Sequence, residues 1–129
     1  PDNQFNLYAD YVFARTSLGE VTGYVNLNWQ DEWYASAAYP ALVAVSRNGP
    51  TVPVLYDNPP MDTRTVVDAR LSLENVEVGD GAMRFTLWGK NLTDEDYSTY
   101  GINFGNDIGL LTQNYGDPRT FGIEVAYEY

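Results

Sequence analysis

RTFGIEVAYEY, running from Arg119 to Tyr129, decides the fold. Successive side chains of a strand point to opposite sides. Phe121, Ile123, Val125, Tyr127 and Tyr129 therefore share one wholly apolar face, and Thr120, Gly122, Glu124, Ala126 and Glu128 share the other. A membrane-spanning strand is built this way: lipid meets apolar side chains, the lumen tolerates charge, and ~9–11 residues suffice to cross at the usual tilt. A half-buried strand of a soluble sandwich alternates in the same manner. The rest of the chain has to separate the two.

Four more segments follow the two-residue rule. The sequence predicts strands at about 5–15, 21–33, 65–75, 82–92 and 119–129. In the first, Phe5, Leu7, Ala9, Tyr11 and Phe13 oppose Asn6, Tyr8, Asp10, Val12 and Ala14; in the second, Val21, Val25, Leu27 and Trp29 oppose Thr22, Tyr24, Asn26, Asn28 and Gln30. The third sets Val67, Ala69, Leu71 and Leu73 against Asp68, Arg70, Ser72 and Glu74, and the fourth Met83, Phe85 and Leu87 against Arg84, Thr86, Trp88 and Lys90. The charges collect on the face away from the apolar one. Pairing of the third and fourth segments about a turn at 78–81 is expected to set Glu74 opposite Arg84 and Asp68 opposite Lys90. Such pairs are worth ~0.2–1 kcal/mol and fix register more than stability.

The connections alternate short and long: turns at about 16–20 and 76–81, loops at about 34–64 and 93–118. Gly19 supplies a positive φ for the first turn. Pro40, Pro50, Pro53, Pro59 and Pro60 mark the first long segment as loop, since a central strand does not accept proline. Short turns at one end and long loops at the other are the habit of transmembrane barrels. The expected fold is therefore all-β, an antiparallel up-and-down transmembrane β-barrel. This chain supplies about its last five strands, because bacterial single-chain barrels have even strand counts from eight upward.

Composition removes other classes. Lys and Arg number 7 against 18 Asp and Glu, for a net charge of -11, which argues against nucleic acid as a partner. No Cys and no His are present, so disulfides, thiolate or imidazole metal sites and His-based catalytic triads are excluded. No enzyme activity, metal or cofactor is expected. The longest uncharged stretch, Tyr34 to Ser46, is broken by Pro40 and falls short of the ~18 residues of a spanning helix. Barrel strands escape that test, which suits a mean hydropathy of -0.35. The N-terminal PDNQFNLYAD lacks the pattern of a signal peptide, so an export signal is expected upstream.

LWGKNLTDEDY at Leu87–Tyr97 and YGDPRTFG at Tyr115–Gly122, together with the last strand, resemble the C-terminal end of TonB-dependent outer-membrane receptors. In that family an N-L-x-D-x-x-Y motif ends the penultimate strand and a G-x-P-R motif opens the last. Here the matching residues are Asn91, Leu92, Asp94 and Tyr97, then Gly116, Pro118 and Arg119. VVDARLSLENV resembles the strand before them. Phe121, Ile123, Val125, Tyr127 and Tyr129 resemble the C-terminal signal read by the barrel-assembly machinery, with Tyr129 where the family most often has Phe. The resemblance implies a bacterial outer-membrane receptor that takes up a scarce nutrient, such as an iron chelate, cobalamin or an oligosaccharide, in a barrel of about 22 strands around a plug domain. The plug and the segment that contacts TonB are expected outside this chain.

The residues of both motifs also have local readings. Asn91 and Asp94 are short acceptors able to tie backbone amides where the strand leaves the sheet; Gly116 and Pro118 bend the chain into the last strand; Arg119 is expected to reach loop carbonyls or a carboxylate such as Asp94. Tyr97 and Trp88 suit the outer interface, although parity turns Trp88 to the lumen. Ligand contacts are expected from the long loops: Trp33, Tyr34, Tyr39, Arg47 and Tyr56 in the first, and Tyr100, Asn103, Phe104, Asn106, Asp107, Gln113, Asn114 and Tyr115 in the second. Aromatic rings interleaved with amides suit sugars or aromatic chelates. The acidic run Asp94, Glu95, Asp96 lacks the ligand spacing of a calcium loop. A different class remains open: a soluble carbohydrate-binding β-sandwich module of a secreted protein.

Overall fold

The computed structural model describes residues 1–34, 42–45, 52–55, 60–103 and 111–129. Five long strands form one antiparallel sheet: β1 (Gln4–Thr16), β2 (Gly19–Gln30), β5 (Arg64–Val78), β6 (Gly81–Lys90) and β9 (Thr120–Glu128), ordered β1-β2-β5-β6-β9. The described residues contain no helix. Each strand pairs with the next one of the set, as an up-and-down topology requires. The sheet is open, with β1 and β9 as its edges.

Register carries the sequence pattern across the whole sheet. One row runs Ala9, Val25, Ala69, Gly89, Phe121, and the next apolar row runs Tyr11, Gly23, Leu71, Leu87, Ile123. Between them, on the opposite face, lies Asp10, Tyr24, Arg70, Trp88, Gly122, and one step beyond the second apolar row is Val12, Thr22, Ser72, Thr86, Glu124. Because every row keeps its parity, five separate alternations fuse into one apolar and one polar surface.

Burial is inverted relative to a soluble domain. Phe5, Leu7, Phe121, Ile123 and Val125 are exposed, Ile123 by 79%, while Ser72 and Thr86 on the polar face are each only 4% exposed. Arg70, Glu74, Arg84 and Glu124 line one concavity with these two, whose hydroxyls bond each other at 2.9 Å. Met61 is the single buried apolar residue among those described. No second layer covers the apolar face among the described residues, so the sheet has no core of the ordinary kind.

Four details depart from the sequence reading. β2 ends at Gln30 and does not reach Trp33, which instead makes an isolated bridge with Met61. The long loops are not wholly irregular, since β3 (Leu42–Val45) pairs with β4 (Val52–Leu55) and β7 (Ser98–Asn103) with β8 (Leu111–Tyr115). Pro53 lies within β4, where a two-stranded hairpin leaves each strand an outer edge that needs no N–H donor. The expected register holds from Ala69 to Leu73 against Gly89 to Phe85, but neither expected charge pair appears among the ion pairs of the described residues. A bulge between Leu73 and Val76, with Asn75 at φ 56°, interrupts the register beside Arg84. Arg84, in register with Ala126, reaches Glu124 diagonally at 3.5 Å, Glu74 accepts from Thr22 at 3.2 Å, and Asp68 accepts from the backbone N–H of Asn91.

Candidate functional site

The long-loop end of the sheet holds both motif segments and the described aromatic loop residues. At its centre is Asn91, only 3% exposed and at φ 50°. Asparagine tolerates this left-handed conformation better than most residues because its short side chain bonds locally. The Asn91 Oδ1 accepts from the Glu95 N–H at 3.0 Å and the Thr93 hydroxyl at 3.2 Å, while its Nδ2 donates to the carbonyls of Glu95 at 2.9 Å and Asp117 at 3.1 Å. One side chain thus ties the exit of β6 to the entrance of β9.

Neighbouring contacts tighten the same junction. Arg119 pairs with Asp94 at 3.0 Å, the partner expected from sequence. Asp94 sits at φ 55°, and its N–H bonds the Asn91 carbonyl. The Gly116 N–H donates to the Tyr97 carbonyl at 2.8 Å, and a Cβ at 116 would run into the Tyr97 ring. The other side of the junction is anchored to β5: Leu92 N–H donates to the Val67 carbonyl, the Thr93 hydroxyl to the Thr65 carbonyl, and the Asn91 N–H to the Asp68 carboxylate at 2.9 Å. Leu92 itself is half-buried against Gly89. Pro118 fixes φ in the short link to β9.

Sequence reasoning missed Arg64, Gln30, Met61 and Asp68. The guanidinium of Arg64 lies 4.7 Å from the Tyr97 ring centre and donates to the buried Gln30 Oε1 at 2.9 Å. A cation over an aromatic face is attracted by the ring quadrupole, which seats Tyr97 against the first loop's return strand. Nothing in a period-two pattern marks these partners, because each contact joins segments far apart in sequence. Met61 packs its methyl against Gly101 of β7, so the foot of the first loop touches the hairpin of the second.

The proposed ligand residues divide into two groups. Tyr100 and Asn114 are cross-strand partners in the β7–β8 hairpin; Tyr100 and Tyr115 are exposed, and the Tyr115 hydroxyl donates to Gln113 at 3.2 Å. Trp33 is half-buried at its bridge to Met61 and Tyr34 is exposed beside it. Tyr39, Arg47, Tyr56, Phe104, Asn106 and Asp107 lie outside the described residues, and of Asn103 only the backbone at the end of β7 is described. Trp88, as parity requires, lies on the polar face, its indole across Gly122 and the Lys90 ammonium 5.8 Å from its ring centre.

Arg15–Glu20, Arg84–Glu124 and Arg119–Asp94 are the ion pairs among the described residues. Arg70 and Lys90 instead contact Tyr24 and Trp88. No group of His, Cys, Asp and Glu able to hold a metal ion is found among the described residues. Chemically, this end of the sheet can present aromatic and amide groups on a braced platform. Comparison with known proteins finds no matching family model, no matching characterised protein and no matching solved structure.

Proposed function

We propose that this chain is part of the wall of a transmembrane β-barrel in the bacterial outer membrane, belonging to a TonB-dependent receptor that imports a scarce nutrient. The observation that carries this reading is the inverted sheet. Its apolar face is open, with Ile123 79% and Leu7 65% exposed, whereas Ser72 and Thr86 at the centre of its polar face are 4% exposed. Lipid is the solvent that rewards such an arrangement, at roughly 25 cal/mol for each Å² of apolar surface kept from water.

Aromatic placement adds support. Phe5 and Trp29 stack at 5.3 Å at the long-loop end of the apolar face, and Tyr127 and Tyr129 stack at 6.2 Å at the tight-turn end. Rings at both ends of an apolar band are the girdles of outer-membrane barrels. The nine residues from Phe121 to Tyr129 extend about 26 Å at ~3.3 Å per residue, a rise of about 20 Å at a tilt of about 40°, against an apolar band about 25 Å tall. The open edges of β1 and β9 would expose unpaired backbone groups to hydrocarbon. On this reading they are paired by further strands of the same barrel.

In this role the Asn91 junction braces the wall at its extracellular rim, and Tyr34, Tyr100 and Tyr115 offer ring faces to an incoming ligand. The plug, the TonB complex and the assembly machinery are the expected partners, the first two acting through segments outside this chain. The alternative of a soluble carbohydrate-binding sandwich requires a layer over Leu7 and Ile123, and no described residue supplies one. The full-length protein tests the proposal: it should fractionate with the outer membrane, migrate faster on a denaturing gel before boiling than after, and support nutrient uptake that stops when the inner membrane is de-energised. Recovery as a soluble monomer in plain buffer would refute it.

A further inference from the structure

The outward apolar face is not evenly filled. Ala9, Ala69 and Gly89 lie in one row with Val25, and Gly23 lies in the next row. They floor a concavity of about 490 Å³. Phe13, the extra residue of the bulge between Val12 and Ala14, leans over Gly23 from one side. Leu92 and Phe121 lean over Gly89 from the other.

We infer that this groove binds one acyl chain of a bilayer phospholipid, an assignment that rests on the membrane reading above. Volume favours a single chain. A dry apolar cavity of ~150 Å³ holds one benzene, so at equal packing about 490 Å³ takes roughly 20 carbons, enough for one long chain and too few for two. Shape favours a chain over a protein partner. The floor lies between the Phe13 ring and the Phe121 and Leu92 side chains, and an α-helix ~10–12 Å across would be held off by those rims. A second copy would present the same protruding rings. The groove is also continuous with the apolar surface that the proposed function places against lipid, so a chain needs no polar passage to enter it. Of the apolar-face side chains that line it, only Tyr11 carries a polar group, and Tyr11 is exposed, so its hydroxyl is not shut in with the hydrocarbon.

The test uses full-length protein, delipidated in detergent and titrated with dipalmitoyl phosphatidylcholine, with retained lipid counted by native mass spectrometry. The natural sequence should keep one lipid per barrel after washing. Ala9→Leu with Ala69→Leu, which fills the floor while leaving it apolar, should lower the one-lipid fraction at least fivefold; Phe13→Ala, which removes a rim, should lower it as well. The gel shift on boiling should be unchanged in both variants, which separates loss of the groove from loss of the fold. Equal retention in all three proteins would overturn the acyl-chain site while leaving the barrel intact. Two other results would also overturn it: a dimer that the filling variant dissociates, or retained lipopolysaccharide in place of added phospholipid. Failure of the natural protein to enter vesicles or to show the gel shift would instead remove the membrane reading on which the inference rests.

Discussion

Replacing Asn91 by alanine should be among the most damaging single changes in this chain. Four side-chain hydrogen bonds disappear together: two donated to the carbonyls of Glu95 and Asp117, and two accepted from Glu95 and Thr93. At about 1 kcal/mol net for each bond, the loss is ~4 kcal/mol. Asn91 is only 3% exposed, so in the native state these bonds are made to protein and not to water. Alanine at φ 50° adds left-handed strain of ~1 kcal/mol that asparagine largely avoids. Asn91→Gly removes the same bonds without that strain and should be less harmful by about this ~1 kcal/mol. The assay is guanidinium unfolding of the full-length protein in phosphatidylcholine vesicles, followed by tryptophan fluorescence. A loss of about 4–5 kcal/mol for alanine, with glycine milder, is expected. A change under about 0.5 kcal/mol, the usual size for a plain surface substitution, would refute the bracing role.

Three further outcomes follow from the same geometry. Ile123→Arg puts a cation on the apolar face and should cost ~2–4 kcal/mol near the membrane midplane, whereas Glu124→Gln, one residue on, removes only the 3.5 Å contact with Arg84 and should cost under ~1 kcal/mol; equal costs in vesicle unfolding would contradict the assignment of faces. Ser72→Val or Thr86→Val alone leaves a buried hydroxyl unpaired and should cost ~1–3 kcal/mol, while Ser72→Val with Thr86→Val should be milder than the sum, and strict additivity in the cycle would deny the bond. Gly116→Ala forces the Tyr97 ring aside and should cost ~1–3 kcal/mol by overpacking; near-UV circular dichroism should report the displaced tyrosine, and an unchanged spectrum with unchanged stability would show that the ring does not rest there.

Parity was legible because each long strand needs only its own alternation to declare its faces. The tight turns Ser17–Leu18 and Gly79–Asp80 were legible for a similar reason: the positive φ expected of Gly19 is found beside the first, and Gly79 takes one in the second. Register between β5 and β6 was legible from Ala69 to Leu73 and was lost only at the bulge. The bulges at Phe13 and at Glu74–Asn75 shift the pairing, and an extra residue in a strand leaves no mark on composition. The second bulge leaves Glu74 and Asn75 together against Arg84, whose ion pair is with Glu124. The small hairpins were hidden by Pro53 and by the shortness of β7 and β8, where propensity carries little information. At the rim, the turn chemistry of Asn91 and Asp94 could be read locally, and Arg119 was correctly aimed at Asp94. The reach of Asn91 to Asp117, 26 residues away, and the seat of Arg64 on Tyr97 depend on tertiary approach, which no single segment encodes.

The side of β9 that meets hydrocarbon distinguishes a barrel wall from a covered sheet. Single cysteines introduced at successive positions from Phe121 to Glu128, in a segment that has none of its own, can carry spin labels in the full-length protein reconstituted in vesicles. Collision with oxygen should peak at 121, 123, 125 and 127, and collision with a water-soluble nickel chelate at 122, 124, 126 and 128. A profile without a two-residue period, or odd positions shielded from both reagents, would contradict the reading.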